Sequence, residues 1–332
     1  MSYIANINKD GDDLSFQIVN TKGNKTDMKI SFVNALRRVI LSDIPIIATS
    51  RLKTQFTDNT SMLDDQYLAH RLNMSTVINS SATENHMDEI GISLNRVNES
   101  DDIETVYLKD MTLTRGKEKI DVDKFFKHPD TIFAKLKYDQ KINMTSKLIR
   151  STNRADGAGF CPVGTCYYNF DYDNTDLEDE DRERKYFRTE NGLPSKYNFF
   201  IEPSGQLSAK EVMLRGIDVL IEKLNTIKQD LVDKSGLKIV PHKAPTKMKA
   251  IDYHITDENE TVGNLIDEYI GDVEKTYYSG YHIPHPLKNV IIVRVGYEDG
   301  DLDKTSEVLV KTIDFLTDFA SKFKKEWQSK VN

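Results

Sequence analysis

A run of aspartates is the part of this chain that comes closest to a catalytic pattern. Asp171, Asp173 and Asp176 lie within six residues of one another, and paired aspartates can bind Mg²⁺ for phosphoryl transfer. An EF-hand loop does not fit, because Asp176 occupies the glycine position and Arg182 the final glutamate position. The acidic run continues to Glu183, and such runs are usually solvated. The pattern favours an acidic surface loop, Asp171–Glu183, with a magnesium-dependent phosphotransfer enzyme as the weakest alternative.

The other candidate ligands do not form a metal-site or cofactor-site pattern. Cys161 and Cys166 are the only cysteines, too few for a disulfide framework or a four-cysteine zinc site, so free thiols are expected. The seven histidines lack the paired helical spacing of a zinc site. Gly157 and Gly159 lack the third glycine of a dinucleotide fingerprint. The sequence therefore predicts no cofactor and no metal, and spacing alone indicates no catalytic trio.

Length and charge narrow the classes of protein further. At 332 residues the chain is long enough for two or three domains. Its 38% hydrophobic and 30% charged residues suit a globular protein with a solvated surface. No apolar run is long enough to span a membrane, the first residues do not resemble a signal peptide, and a reducing compartment is expected. A net charge of −8 does not favour direct binding of nucleic acid.

Two short helices and two long helices dominate the predicted elements. The first short helix has Ser31 as its expected N-cap and ends before Pro45. The second is expected to be capped by Thr261 and to end at Gly271. Ser208-Ala-Lys-Glu211 is a capping box that opens a long helix, and the last helix is expected to run from about 303 to 327.

The apolar stripes of the long helices allow two kinds of packing. Each helix could pack only on its own sheet, or it could also pack on the other long helix. The second alternative is favoured, because both ends of the chain show the same order of elements. Its expected core consists of buried side chains from both long helices: Leu220, Leu224, Ile227, Leu309, Ile313 and Leu316.

Several short motifs together resemble a known family. Asn34-Ala-Leu-Arg-Arg38 with Ile44-Pro45 is similar to the assembly motif of the RNA polymerase alpha subunit and of its eukaryotic counterpart, polymerase II subunit three. Further matches to these subunits occur at Leu68–Leu72, Leu136–Ile142, Gly157–Cys166 and Leu214–Asp218. The last part resembles the smaller partner, polymerase II subunit eleven, at Glu260–Leu265, Gly280-Tyr281, His285-Pro286 and the helix ending near Trp327. The resemblance covers nearly the whole chain.

The resemblance implies an α+β fold in which an alpha-subunit-like dimerisation fold occurs twice, with a mainly β domain inserted in the first copy. The implied domains are 1–50 and 190–235 for the first dimerisation domain, 51–189 for the insert, 236–247 for a linker and 248–332 for the small-partner-like domain. In the family the two partners are separate chains. Their fusion here is similar to that in polymerases of large nucleocytoplasmic DNA viruses, and tethering makes the pairing intramolecular.

The family role implied for this chain is non-catalytic assembly of transcription machinery. Its partners would be the two largest polymerase subunits and small polymerase subunits, with DNA bound only indirectly through the complex. The residues matching the large-subunit interface are Asn34, Arg37, Arg38, Gly157, Gly159 and Phe160. A stand-alone protein-binding adaptor with the same fold is the alternative. The expected location is the virion and host cytoplasm or nucleus for a viral protein, and otherwise the nucleus.

Overall fold

The computed structural model describes residues 2–20, 28–171, 186–189, 192–247, 249–276, 278–297 and 302–331. It divides into two compact units. The larger unit consists of Met1–Ile40, Cys166–Ile201 and Met213–Asn332, and the smaller unit consists of Leu41–Thr165 and Glu202–Val212. The smaller unit therefore interrupts the first part of the larger one in the chain.

The elements follow one another closely along the chain. The strands are β1 Ile4–Asp10, β2 Asp13–Val19, β3 Ile46–Thr49, β4 Gln55–Asn59, β5 Ile90–Val97, β6 Glu104–Tyr107, β7 Thr112–Arg115, β8 Glu118–Ile120, β9 Ile132–Leu136, β10 Lys141–Ser151, β11 Val163–Phe170, β12 Lys196–Pro203, β13 Ile239–Lys243, β14 Ala250–Thr256, β15 Tyr278–His282 and β16 Val290–Gly296. The helices are α1 Ile30–Ser42, α2 Asp65–Asn73, α3 Ser81–Asn85, α4 Asn153–Asp156, α5 Ala209–Asp233, α6 Glu260–Val273 and α7 Leu302–Lys330.

The larger unit contains the same arrangement of elements twice. We call β1, β2, α1, β11, β12 and α5 the first module, and β13, β14, α6, β15, β16 and α7 the second module. Each module is a strand pair, a short helix, a second strand pair and a long helix. The strand orders within the two sheets, β1-β2-β12-β11 and β13-β14-β16-β15, correspond strand for strand. This repetition confirms the expected α+β fold present twice in one chain.

The short helices begin differently from the sequence prediction. Helix α1 already includes Ser31, whose buried hydroxyl has no hydrogen-bond partner, while the carbonyl of Lys29 accepts from the backbone N–H of Phe32. Helix α6 is capped by Asn259, whose side chain accepts from the N–H of Thr261 at 3.0 Å. The predictions of Ser31 and Thr261 as N-caps are therefore wrong, because each lies inside its helix, where its small side chain is buried.

The long helices start and end close to the predicted positions. The capping box is present: the N–H of Ser208 donates to Glu211 at 3.2 Å, and the N–H of Glu211 donates to the Ser208 hydroxyl at 3.3 Å. Helix α7 extends to Lys330, slightly beyond the expected end.

The short helix α6 continues past its expected end at Gly271 to Val273, since a glycine that keeps helical backbone angles does not end a helix.

The predicted linker, 236–247, contains strand β13. This strand pairs antiparallel with β14 from Ile239 opposite Ile255 to Lys243 opposite Ile251. Pro241 lies within β13, which is an edge strand, where a residue without an N–H is tolerated. The compact units also change over at different residues from the expected domain limits, because β11 and β12 extend the sheet of the first module.

The smaller unit is mainly β, in agreement with the expected insert. Its largest sheet has the order β3-β10-β5-β7-β8, and β4 also pairs with β10. A second, two-stranded sheet joins β6 and β9. Helix α2 and both sheets enclose an apolar core that includes Leu68, Val106, Phe126 and Met144, each at most 1% exposed.

The acidic loop predicted at Asp171–Glu183 is described only at Asp171. The rest of the loop, including Asp173 and Asp176, lies outside the described residues.

Within the described ranges, no helix combines the length and apolar character needed to cross a membrane.

Candidate assembly interface

The long helices of the two modules repeat one burial pattern. Three residues in α5, Met213, Ile217 and Leu220, are buried at the same spacing as three in α7: Leu309, Ile313 and Leu316. Leu224 and Ile227, the remaining predicted core residues, are also fully buried. These faces place all six predicted core residues in the interior of the larger unit.

Two ion pairs show that α5 and α7 lie side by side and run in opposite directions. Asp218 of α5 pairs with Lys324 of α7, and Lys228 of α5 pairs with Asp314 of α7. Moving forward along one helix therefore means moving backward along the other, and the two bridges lie about 15 Å apart along each helix at 1.5 Å per residue. The two bridges join the long helices across the modules, as the second packing alternative requires; packing of their apolar stripes on each other stays a prediction.

Aromatic side chains also connect the two modules. Trp327 of α7 is fully buried and lies edge-on to Phe16 of β2, with ring centroids 4.7 Å apart. Phe319 of α7 lies 4.9 Å from Phe32 of α1 and 5.4 Å from Tyr3, again edge-on. Such pairs contribute about 0.5–1.5 kcal/mol each beyond the burial of their area. The last helix thus completes the core of the first module.

Each long helix also binds the first strand of the other module through a carboxylate. Asp230, near the end of α5, accepts hydrogen bonds from the N–H groups of Lys238 and Ile239 at 2.7 and 2.6 Å, where β13 begins. Glu326, near the end of α7, accepts from the N–H groups of Tyr3 and Ile4 at 2.9 Å each, where β1 begins. We call these two contacts the carboxylate clamps.

The clamps lower the pKa of both carboxyl groups. Burial alone would raise the pKa of Glu326, but donors from Ser2, Tyr3, Ile4 and Lys330 together outweigh it and lower that pKa. For Asp230, burial also opposes the charge, and the N–H groups at the start of β13 outweigh it to lower the pKa. Both groups are therefore ionised at neutral pH and join the modules by charge-assisted bonds.

The short helices of the two modules lie against each other as well. Lys29, just before α1, donates its N–H to the Tyr269 hydroxyl at 3.0 Å, and its ammonium pairs with Asp272 at 2.7 Å. At the opposite end, Arg38 of α1 lies 3.9 Å from Glu260 of α6. Burial raises the pKa of the Tyr269 phenol strongly, so this hydroxyl stays neutral and can accept the bond.

The predicted arginines lie on the half-exposed side of α1. The Asn34 side-chain oxygen accepts from Arg37 Nε and Nη2 at 3.1 and 3.0 Å, which fixes the direction of that guanidinium. Arg37 also lies near the Tyr168 phenol, whose pKa is raised by burial and lowered to a lesser degree by this arginine. Arg38 keeps 37% of its side chain exposed beside Glu260. The arrangement presents two oriented guanidinium groups on one helix.

In the smaller unit, the predicted contact loop is supported by its own interior. Gly157 has φ +88°, a conformation that favours glycine. A Cβ on Gly159 would lie 2.6 Å from the backbone oxygen of Asn73, and Phe160 is 1% exposed. Gly159 and Phe160 therefore position the loop and are not exposed contact residues, a correction to the prediction.

The exposed part of this loop is fixed by Arg154. Its Nε and Nη2 donate to the two Asp43 carboxylate oxygens at 2.7 and 2.9 Å, and Asp43 is buried. The Asn153 amide donates to the carbonyl of Leu41 at 2.9 Å. A bidentate arginine–carboxylate pair orients a loop more strictly than a lysine would.

Sequence reasoning missed the residues that join the modules by polar contacts. Asp230 and Glu326 were each one charge among many on a helix, and their partners are backbone groups, which no side-chain pattern reveals. One sequence feature does relate the two carboxylates. When the long helices are aligned on their apolar positions, each carboxylate lies ten residues after a matched leucine, Leu220 or Leu316.

Candidate metal ligands do not converge in the described part of the chain. There, no group of three or more histidine, cysteine, aspartate or glutamate side chains has the geometry to bind a metal ion. Neither Cys161 nor Cys166 forms a disulfide. Burial raises the pKa of Cys161, which keeps it a neutral thiol at pH 7.

Comparison with known proteins identifies the repeated module. The RNA polymerase Rpb3/Rpb11 dimerisation domain matches this chain over residues 26–224 and a second time over residues 250–326. The first match spans the part of the chain that contains the insert, and the second corresponds to the second module from β14 to α7.

Individual relatives are named as subunits of DNA-directed RNA polymerases. The DNA-directed RNA polymerase II subunit RPB3 of Schizosaccharomyces pombe is 22% identical over 277 residues, which cover 71% of this chain and 88% of that protein. The DNA-directed RNA polymerase subunit Rpo3 of Methanocaldococcus jannaschii is 26% identical over 202 residues, covering 61% of this chain and 85% of that protein.

A third relative is named as another polymerase subunit. The DNA-directed RNA polymerase subunit Rpo11 of Sulfurisphaera tokodaii is 34% identical over 79 residues, covering 24% of this chain and 83% of that protein. Together with the two domain matches, these similarities show that the chain belongs to the RNA polymerase Rpb3/Rpb11 dimerisation domain family and carries that domain twice.

Proposed function

We propose that this chain is a non-catalytic assembly subunit of a multisubunit DNA-directed RNA polymerase, onto which the two large catalytic subunits dock. The observation that carries the proposal is the pairing of two dimerisation modules in one compact unit of one chain. Two relatives, RPB3 and Rpo11, are named as different polymerase subunits. The fused chain supplies both parts at once.

A platform of this kind must keep its shape while large partners dock. Support comes from the reciprocal contacts between the modules: antiparallel long helices, aromatic pairs and the two carboxylate clamps. Because the modules share one chain, their pairing does not depend on protein concentration; a short tether gives an effective concentration of about millimolar. Such a scaffold can present docking groups without first recruiting a partner chain.

The proposed docking face consists of Asn34, Arg37 and Arg38 on α1. Asn34 orients the Arg37 guanidinium in advance, so little side-chain freedom is lost when it binds a carboxylate or carbonyl of a large subunit. The exposed side of the Arg154 loop is a second proposed contact, made by the smaller unit, with Gly157, Gly159 and Phe160 supporting it from within.

The chemistry of transcription is assigned to the partners. In this proposal the chain contributes no residue to nucleotide addition, and DNA is reached only through the complex. The net charge of −8 agrees with this division, because DNA binding depends on cationic surfaces. A viral source and a place in virions or host cytoplasm or nucleus stay predictions, to be tested by mass spectrometry of purified virions or of cell fractions.

Affinity purification tests the docking proposal directly. An affinity-tagged wild-type chain, isolated from the cells in which it is naturally expressed, should co-purify with two polymerase-sized subunits. The variant Arg37→Glu/Arg38→Glu should lose most of this recovery, because reversed charges leave a docked interface with unpaired groups.

A matched control separates docking from net charge. Lys117→Glu/Lys119→Glu makes the same change in total charge at two exposed positions of the smaller unit and should recover the large subunits at wild-type levels. Unchanged recovery with the arginine variant would contradict the proposed contact. Recovery of smaller partners alone, with no polymerase-sized chains, would favour the alternative of a stand-alone adaptor.

A further inference from the structure

One buried ion pair joins the modules on one side of the larger unit. The side chain of Glu258, between β14 and α6, is only 2% exposed. Its carboxylate accepts two hydrogen bonds from the Lys223 ammonium of α5, at 3.2 and 3.0 Å. Lys238 lies 3.5 Å away on the same side. Lys223 belongs to the first module, whereas Glu258 and Lys238 belong to the second.

The corresponding place on the other side of the unit is apolar. Met28 lies two residues before α1, as Glu258 lies two residues before α6, and Met28 is fully buried. Phe319 follows Leu316 by three residues in α7, as Lys223 follows Leu220 in α5, and it packs against the aromatic rings of Tyr3 and Phe32. The two modules are therefore alike in fold but not in the groups they offer at this position.

This difference matters when a module could pair with a like module from another chain. If two first modules paired, each Lys223 would face Met28 of the other chain in place of a carboxylate. If two second modules paired, each Glu258 would face Phe319 and keep only Lys238 of its own module. Breaking a buried ion pair is destabilising, so the first–first pairing is penalised because each Lys223 loses its two hydrogen bonds to Glu258, and the second–second pairing because each Glu258 loses them.

The two ion pairs between α5 and α7 do not make this distinction, and the pairs of the short helices, Lys29–Asp272 and Arg38–Glu260, each include a well-exposed carboxylate and contribute little. Asp218 and Lys228 of α5 occupy the same positions, relative to Leu220, as Asp314 and Lys324 of α7 occupy relative to Leu316. Each long helix thus carries one acid and one base at equivalent places, and the same two bridges could form between two first modules or two second modules.

We propose that the Lys223–Glu258 pair specifies which modules pair, directing the first module to the second and excluding pairs of like modules between chains. Specificity of this kind depends on what the wrong pairing leaves uncompensated as well as on what the right pairing gains. The proposal concerns the self-pairing of this chain and does not depend on the docking of polymerase subunits.

The test uses the whole chain, cut only after it has folded. A specific protease site is inserted between Lys234 and Ser235, within the exposed stretch 232–237. The purified, folded protein is cleaved, unfolded in urea and refolded by dilution, and native mass spectrometry then counts the three kinds of fragment pair. For wild type we expect only first–second pairs.

The informative variant is Lys223→Met/Glu258→Met, because replacing both partners of a buried pair with apolar side chains preserves stability better than removing one. In this variant, pairs of like fragments should appear, up to the half of all pairs that random association of equal amounts gives. The uncut double variant should unfold near the wild-type temperature, whereas uncut Lys223→Met should unfold at a lower one.

Lys228→Met/Asp314→Met is the matched control, since it removes an inter-module pair that has a counterpart on the other side. It should give first–second pairs only. Exclusive first–second pairing in the Lys223→Met/Glu258→Met variant would overturn the proposal. So would a wild type whose fragments pair at random or fail to pair, or an uncut double variant as unstable as the single one.

Discussion

The short helices α1 and α6 have the same buried face and opposite outer charges. Over Ser31–Ile40 and Thr261–Ile270 the buried positions coincide, and each helix has a half-exposed asparagine at the same place, Asn34 or Asn264. The next outward positions are Arg37 and Arg38 in α1 but Asp267 and Glu268 in α6. The fold repeats while the surface does not.

The inner and outer faces of these short helices meet different requirements. Burial of the apolar face sets how each helix packs on its sheet, and that requirement is common to both modules. The outer charges do not affect that packing, so they can differ. A partner surface with acidic groups that attracts the arginines of α1 would be repelled by the carboxylates of α6. The two modules thus offer unlike faces to other chains.

The largest expected effect tests the equivalence of the two cores. Leu220 and Leu316 are both fully buried at matched positions of α5 and α7. Leu220→Ala and Leu316→Ala should each lower the free energy of unfolding by about 2–5 kcal/mol, from lost burial and the cavity left behind. Urea unfolding followed by circular dichroism measures both. A cost below about 1 kcal/mol at only one position would show that the modules do not share an equivalent core.

A smaller effect is expected where the modules differ in side-chain volume. Val33 of α1 corresponds to Gly263 of α6, and a Cβ on Gly263 would lie 2.2 Å from Ile291 Cδ1. Gly263→Ala should therefore lower the free energy of unfolding by about 1–3 kcal/mol through overpacking, as thermal unfolding would show.

The same helix supplies the control for this substitution. A Cβ on Gly271 would have no atom within 4 Å, so Gly271→Ala should raise stability by about 0.5–1 kcal/mol through better helix propensity. If both glycine variants changed stability in the same direction, the close approach of Gly263 to β16 would not be the cause.

The carboxylate clamps predict how stability depends on pH. The pKa values of Asp230 and Glu326 are lowered in the folded protein, so the clamps contribute fully above the unfolded values near pH 4 and are lost as pH falls through the folded values. Glu326→Gln should cost about 1–2 kcal/mol at pH 7, since a bond to a charged group is replaced by a neutral one.

The pH dependence of the Glu326→Gln effect tests whether the charge of Glu326 is responsible. The difference in unfolding free energy between wild type and Glu326→Gln should shrink as pH falls below about 4, because the wild-type carboxyl is then protonated as well. A difference that stays constant from pH 7 to pH 3 would mean that the side-chain charge does not hold β1 in place.

Much of this fold follows from the sequence, and the parts that do not have physical reasons. Apolar periodicity predicted the two long helices, because the buried face of a helix must recur every 3.6 residues. The ends of α1 and α6 were mispredicted, because a buried Ser31 or Thr261 resembles a cap when only residue type is considered. Strand β13 was taken for a linker, because its place in the sheet depends on edge pairing with β14, which residue type does not reveal and which tolerates Pro241.

The candidate interface was predictable only in part. Side-chain motifs indicated the arginines of α1 and the loop at Gly157, but burial of Gly159 and Phe160 depends on contacts with Asn73 and other distant residues. The pairing of Lys223 with Glu258 depends on the antiparallel placement of two modules, which no local pattern contains.

The smallest expected effect on protein stability comes from changing an outer charge of α1. Arg38 and Glu260 are both well exposed and 3.9 Å apart, and such pairs contribute at most about 1 kcal/mol. Arg38→Glu should therefore change the free energy of unfolding by less than about 1 kcal/mol in urea while it weakens co-purification of the large subunits. A large loss of stability would assign Arg38 to the fold and not to docking.

Zero-length cross-linking of the unmodified protein tests most directly whether the two modules pair within one chain. A carbodiimide joins an ammonium to a carboxylate only when they are in contact, and two of the inter-module pairs are Lys324 with Asp218 and Lys228 with Asp314. The structure predicts that both cross-linked peptides are found by mass spectrometry in the monomer band of a denaturing gel. Cross-links confined to a dimer band, or absent while Lys311–Glu307 within α7 is cross-linked, would contradict intramolecular pairing.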